Sequence, residues 1–431
     1  MMRKISLTSW IMIALILGVV AGYLCHEWAP DAKTAKDIAG YFSIVTEIFL
    51  RLIKMIIAPL VFSTLVAGIA GTGDSKAVGR VGVKALSWFV TASLVSLTLG
   101  MIMVNLLRPG ETMHLALPDA GAGTNLKTSA INFRDFITHV FPKSIFEAMA
   151  NNEILQILVF SVFFGFAVTA VRRESTRTLV AVIEETVHVV LKITDYVMRF
   201  APFAVFAAIA AVITVQGLGV LVTYGKFIGG FYLGLLVLWS VLIGAGFLIL
   251  GGRVFDLLKL LREPMMLAFS TASSEAAYPK TMEQLEKFGV KDSITGFVLP
   301  LGYSFNLDGS MMYQAFAALF VAQAYGIDMS LGQQVTLLLV MMLTSKGIAG
   351  VPRASLVVVA ATLPMFNLPE AGLLLIMGID QILDMGRTVT NVIGNGIATA
   401  VVAKWEGELG DETGGDIEEM LEPDVHAAGS A

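Results

Sequence analysis

Asp380, Asp384, Arg387 and Asn391 place two carboxylates, a guanidinium and a carboxamide inside the otherwise apolar segment Gly372–Ala403. At about 100° per residue their side chains fall within about 60° of one another, so on a helix they form one stripe. Such a stripe suits recognition of a small charged molecule. A guanidinium holds a carboxylate through two parallel hydrogen bonds, and a carboxylate one turn away can hold an ammonium. An Asp or Arg at the centre of a membrane helix costs roughly 2.5–3.5 kcal/mol on insertion scales, so these residues must face a protein or water-lined interior.

Charge bookkeeping narrows the ligand. Arg387 can pair with Asp380 or present its fork to a ligand carboxylate, and Asp384 is then left without a cation. A ligand with two carboxylates and one ammonium satisfies Arg387 and Asp384 together. A plain dicarboxylate leaves Asp384 unpaired at membrane depth. Acidic amino acids therefore fit better.

The elements that position the stripe follow from composition. The chain has 431 residues, 56% hydrophobic and 15% charged, with a mean hydropathy of +0.77. Soluble domains carry about 25% charged residues, so the fold class is all-α and integral to the membrane. The net charge of −5 comes from the tail Glu406–Asp424, which holds nine acidic residues and no basic one. The remainder is mildly basic, with nothing that suggests nucleic-acid binding. A single cysteine, Cys25, excludes an internal disulfide. Met1–Leu24 has the basic start and apolar run of a signal peptide. His26-Glu27-Trp28 offers no small-residue cleavage site, so the segment reads as a retained first helix.

Apolar stretches that can span a bilayer are Trp10–Leu24, Phe42–Ala70, Val83–Leu107, Ile154–Val171, Val180–Thr214 and Leu218–Leu250. Leu107–Phe141 is polar and reads as an exposed loop. Basic residues gather at Arg3-Lys4, Lys76/Arg80/Lys84, Arg253/Lys259/Arg262 and Lys280/Lys287/Lys291. The positive-inside rule places these, and with them both termini, in the cytoplasm.

The last 150 residues break the pattern at Ser270–Ser274, at Asn306–Ser310 and at Gly347–Pro352. Ser273 to Asp308 is 35 positions, and so is Ala349 to Asp384. One plan occurs twice: a broken hairpin with a small-residue tip, then a helix carrying carboxylates. Duplicated halves with Gly- or Pro-broken apolar segments point to a transporter with inverted repeats and a midplane site. At Asn306–Ser310, freed carbonyls beside Asp308 suit a small hard cation; a kink with Asp308 bonded to backbone is the plainer alternative. The tips at Ser273-Ser274 and Gly347–Pro352 can offer backbone N–H groups to an anion, or allow close helix packing. Glu275 and Lys346 flank the two tips, as ionisable participants or as solvated charges. No Walker motif, Ser-His-Asp order or Cys/His cluster appears, so an intramembrane enzyme lacks its machinery. A channel would not need a two-sided clamp.

The segments TASSEAAYP, GYSFNLDGS, SKGIAGVP and GIDQILDMGRTVTNVIGN occur in this order. Together they resemble the glutamate transporter homologues, the dicarboxylate/amino acid:cation symporters, over nearly the whole chain. The resemblance implies eight transmembrane helices, two re-entrant helical hairpins at about 254–286 and 330–366, and a homotrimer. It implies a scaffold from residues 1–71 and 140–217. An elevator-type transport domain would come from 78–107 and 218–404, with 405–431 an acidic cytoplasmic tail. By motif, Arg387 resembles the ligand of the substrate's distal carboxylate, and Asp384 that of its amino group, with Thr388 and Asn391 beside it. Asp380 resembles the residue that orients Arg387. Ser273, Ser274, Ser310 and the backbone of Ala349, Gly350 and Val351 resemble the substrate clamp, and Asn306 and Asp308 the cation-binding break.

Departures from the family pattern bear on the coupling ion. Sodium-coupled members carry Asp, Met, Tyr and Thr where this chain aligns Asn395, Leu307, Phe89 and Ala92. The glutamate that carries the proton in animal members is Gln314 here. Glu275 and Lys346 are as in the proton-coupled bacterial branch. C4-dicarboxylate members lack the carboxylate at Asp384, and this chain keeps it. The expectation is a proton-coupled glutamate/aspartate symporter of a bacterial inner membrane, with no organic cofactor and H+ as coupling ion. A residual sodium site at Asn306 and Asp308 stays open. A C4-dicarboxylate symporter and a sodium-coupled acidic amino-acid symporter are the alternatives.

Overall fold

The computed structural model describes residues 7–72, 75–112, 117, 138, 140–171, 173–218, 224–345, 354–377 and 379–410. Among these residues the only β pairing is an isolated bridge between Val290 and Leu409. Helix dominates for a physical reason. In an apolar solvent each backbone polar group must be satisfied within its own segment.

The N-terminal helices are α1 (Leu7–Trp28), α2 (Ala32–Thr72), α3 (Ser75–Leu107), α4 (Ile154–Ala170), α5 (Arg173–Met198) and α6 (Ala201–Gln216). The remainder comprises α7 (Gly225–Leu250), α8 (Arg253–Leu260), α9 (Arg262–Thr271), α10 (Ser274–Lys287), α11 (Asp292–Phe305), α12 (Asp308–Ala324), α13 (Leu331–Thr344), α14 (Ala354–Thr362) and α15 (Asp380–Glu406). Short helical turns between them are left unnumbered.

Among the described residues, Ser9–Trp28, Ala32–Ala70, Val78–Glu111 and Gly225–Leu250 are long and apolar enough to cross a membrane. The expected span Val180–Thr214 is two helices, α5 and α6, bent by 49°. The break falls at Arg199-Phe200, just before Pro202, whose ring excludes the preceding residues from a continuous helix. Gly372–Ala403 is also not one helix. Short turns over Glu370–Met377 precede α15, whose first residue is Asp380.

Two packing groups emerge. In one, α2 packs against α4, α5 and α6, and α6 packs against α1. In the other, α3 lies on α12, and α15 is wrapped by α7, α9, α10, α11 and α12. The groups meet where α2 touches α10 and α11. There Gly68 sits so close to Ser293 that a Cβ would lie 2.8 Å from its Cα. From Met385 to Ala403 every residue of α15 is buried, so the stripe lies in the protein interior, as its insertion cost demands.

The basic residues gather at one end of the molecule. Arg80 and Lys84 of α3 both pair with Glu406, Lys291 pairs with Glu408, and Arg253 donates to Gly410 O at 2.9 Å. A cluster at the base of the α9–α10 pair joins Lys280 to Glu263 and Glu283. Beside it lies Glu286, whose carboxyl is pushed up to about 8, first by burial and then by the like charges of Asp292 and Glu283.

Candidate functional site: a charged stripe between two helix breaks

Asp380 opens α15, so its carboxylate lies at the positive end of the helix dipole. One and two turns on, Asp384 and Arg387 follow on the same face. The guanidinium of Arg387 is 1% exposed and touches both carboxylates. Its Nη2 donates to Asp380 Oδ1 at 3.1 Å, and Nε donates to Asp384 Oδ1 at 3.1 Å, with Nη2 2.9 Å from that same oxygen. The pairing thus differs from a choice between Asp380 and a ligand: both carboxylates share Arg387.

The two carboxylates differ in access. The Asp380 side chain is 2% exposed and that of Asp384 is 30% exposed. Asp380 is the fixed counter-ion of a buried cation, and Asp384 is the more accessible of the two. Among the described residues, Nη1 of Arg387 has no hydrogen-bond partner, which leaves the fork a free donor for an incoming carboxylate. The ring of Tyr313 on α12 lies 4.0 Å from the guanidinium carbon, a cation–π contact that clamps the other face of the fork. A lone tyrosine in the apolar helix α12 gave no sequence signal for this.

The break at Asn306-Leu307 brings α12 to the same place. Gly309 N donates to Asn391 Oδ1 at 2.9 Å, and Asn391 Nδ2 lies 3.4 Å from Ser310 Oγ. Asn391 therefore ties the start of α12 to the stripe. A Cβ at Gly309 would strike the carbonyl oxygen of Arg387, so glycine is what permits the approach. Thr388 is buried beside Arg387, and Ser310 is also buried.

On the other side of the break, Asn306 Nδ2 donates to Asn395 Oδ1 at 3.3 Å, and Ser96 of α3 donates to Asp308 Oδ1 at 3.3 Å. Gly394 lies against Asp308 so closely that a Cβ would strike its Oδ2. Asn306, Asp308 and Asn395 are all buried. Asn306 Oδ1 has no partner among the described residues. The cluster offers oxygen ligands and one carboxylate, which suits a small hard cation as cargo. Phe89 and Ala92, two turns and one turn before Ser96 on α3, are buried there too and their side chains bring no oxygen.

The first hairpin tip is built by Ala272, at φ 48°, and Ser273. The Ser273 hydroxyl caps α10 by accepting from Ala276 N at 3.2 Å, and Ser274 begins that helix. Ala268 and Ala277 of the two arms pack against Val392, beside Asn391, and bring the tip to the stripe. Glu275 pairs at 3.3 Å with Lys54 of α2, in the other packing group. Lys346, Ala349, Gly350 and Val351 lie outside the described residues.

An all-helical membrane protein with a charged, partly open recognition site between two helix breaks is a solute carrier. The chain belongs to the sodium:dicarboxylate symporter family, whose model matches residues 7–405. It is 40% identical over 418 residues to the proton/sodium-glutamate symport protein of Bacillus caldotenax, covering 96% of this chain and 97% of that one. It is 40% identical over 410 residues to the proton/glutamate-aspartate symporter of Escherichia coli K12, covering 94% and 93%. Against the C4-dicarboxylate transport protein 2 of Polaromonas naphthalenivorans it is 42% identical over 409 residues, covering 94% and 89%. The protein is a transporter and not an enzyme.

Proposed function

We propose that this protein is a secondary active symporter of acidic amino acids, glutamate and aspartate, driven by protons. The observation that carries the reading is the unequal pair of carboxylates on Arg387. Asp384, 30% exposed, can release part of its hold on the guanidinium to a ligand ammonium, while buried Asp380 keeps the cation in place. A substrate carboxylate then takes the free edge of Arg387. Asn391 and Thr388 line the same face, and the hairpin tips at Ser273-Ser274 and Ala349–Val351 close over the ligand.

Proton coupling is supported by what surrounds the break at Asn306. Asn395 puts a neutral amide where sodium-coupled members carry a carboxylate, and Phe89 and Ala92 supply no oxygen. Glu275 and Lys346 are the ionisable groups at the tips, and Glu275 exchanges Lys54 for a proton in this reading. The α1, α2, α4, α5 and α6 group is the scaffold of a homotrimer. The α3 and α7–α15 group moves past it as an elevator. The basic residues gathered near the end of α15 support a reading with that end in the cytoplasm of a bacterial inner membrane.

The name of the Polaromonas relative, a C4-dicarboxylate transport protein, supports a second reading, a C4-dicarboxylate symporter. Counterflow in proteoliposomes with an imposed pH or sodium gradient separates them. Uphill glutamate uptake that follows a pH gradient supports the proposal. Uptake that follows sodium and ignores pH overturns the coupling, and succinate accumulation without glutamate uptake overturns the substrate.

A further inference from the structure

Helix α7 carries no residue of the stripe, yet it makes the polar contacts that hold α15 from behind. Tyr232 of α7 donates its hydroxyl to Ile382 O at 2.7 Å. Two turns on, Trp239 donates its indole N–H to Thr390 Oγ1 at 2.7 Å, and the Thr390 hydroxyl itself donates to Gly386 O at 2.9 Å. Ile382, Gly386 and Thr390 follow at four-residue steps, so they share one edge of α15. That edge lies about 130° round the helix from the stripe of Asp384, Arg387 and Asn391. The two hydrogen bonds bracket the turn that bears Asp384 and Arg387.

Packing strengthens the grip. At Gly386, between Asp384 and Arg387, a Cβ would lie 3.0 Å from two carbons of the Tyr232 ring and 2.8 Å from Leu235. The tyrosine ring thus sits close against bare backbone at Gly386. Phe231, the preceding residue of α7, stacks edge-on against Tyr313 at 5.7 Å, and Tyr313 is the ring on which Arg387 rests. Three anchors of one helix, Tyr232, Trp239 and Phe231, therefore bear on the backbone beneath Asp384, on Thr390 and on the platform of Arg387. In a medium without water, a hydroxyl or indole N–H that slips its partner is left unpaired, so each bond resists rotation of α15.

We propose that Tyr232 and Trp239 are positioning residues for substrate binding: their hydrogen bonds fix the rotation of α15, and so the direction in which Asp384 and Arg387 meet the ligand. This rests on the reading that those two residues bind substrate. A ligand that needs both contacts at once depends on that rotation more than one held by Arg387 alone. Selectivity between glutamate and succinate is then set partly by residues that touch neither.

The test uses the full-length protein in detergent. Binding of glutamate and succinate is measured for the unmodified protein and for Tyr232→Phe, Trp239→Phe and Thr390→Val, each of which removes one hydrogen-bonding group and keeps most of the side-chain volume. Arg387→Ala is the control. Tyr232→Phe and Trp239→Phe should each raise the glutamate Kd roughly fivefold, the factor that one hydrogen bond of usual net worth represents. Succinate should be affected less, so the ratio of the two constants shifts. Thr390→Val should reproduce Trp239→Phe, and the double variant should add little to either. A lowered Tm with an unchanged ratio, or additive effects of Trp239→Phe and Thr390→Val, would overturn the inference. Glutamate binding retained in Arg387→Ala would instead overturn the reading of the site.

Discussion

Replacing Asp384 by serine tests the amino-group assignment most directly. Asp384 accepts from Nε and lies 2.9 Å from Nη2 of Arg387, with its side chain 30% exposed. In the proposed binding mode, the carboxylate of glutamate takes over the guanidinium edge and the ammonium replaces it as partner of Asp384. Succinate brings the carboxylate and no ammonium. Removing one member of a fully buried pair typically costs about 3–5 kcal/mol. Asp384 is partly open to solvent, so a third of this is a fair share, about 1.4 kcal/mol or tenfold. In the unmodified protein succinate should compete with radiolabelled glutamate at least roughly tenfold more weakly than glutamate does. In Asp384→Ser the amino acids lose this advantage and the gap closes or reverses. The assay is competition uptake into proteoliposomes at fixed pH and sodium. Succinate matching glutamate in the unmodified protein, or a ratio unmoved by the substitution, would refute the assignment.

Other outcomes follow from named contacts. Arg387→Cys should abolish uptake of glutamate and aspartate, because the distal carboxylate would be buried unpaired; counterflow with each substrate measures it. Gly309→Ala forces a methyl onto the Arg387 carbonyl and should cost about 1–3 kcal/mol, seen as a lower Tm in detergent and weaker stabilisation by glutamate. Glu286 has its folded pKa raised to about 8 from the ordinary carboxylate value. The folded state therefore binds more protons between those values, and Tm should fall as pH rises through that window; Glu286→Gln should flatten that fall, read by Tm at pH 5, 7 and 9. Glu275→Gln should uncouple uptake from an imposed pH gradient; undiminished uphill accumulation would clear Glu275 as the proton carrier.

The stripe Asp380, Asp384, Arg387 and Asn391 was legible in the sequence because helical periodicity is a local rule. Charges spaced by turns inside an apolar segment must share an interior face, whatever surrounds them. The break at Asn306–Asp308 was legible for a similar reason, since polar residues and glycine interrupt an apolar run there. The tertiary structure decided who meets whom. Arg387 bridges both carboxylates, and Asn391 reaches Gly309 across 82 positions of sequence. Glu275 meets Lys54 of the other packing group. Tyr232 and Trp239 hold α15 from a helix about 150 positions earlier. None of these pairings leaves a periodic trace, because a tyrosine or tryptophan in an apolar helix looks the same whether it faces lipid or a carbonyl. The sequence determined that a charged site had to be enclosed at membrane depth. Only the packing of helices far apart in the chain settled which way that site faces and which groups hold it there.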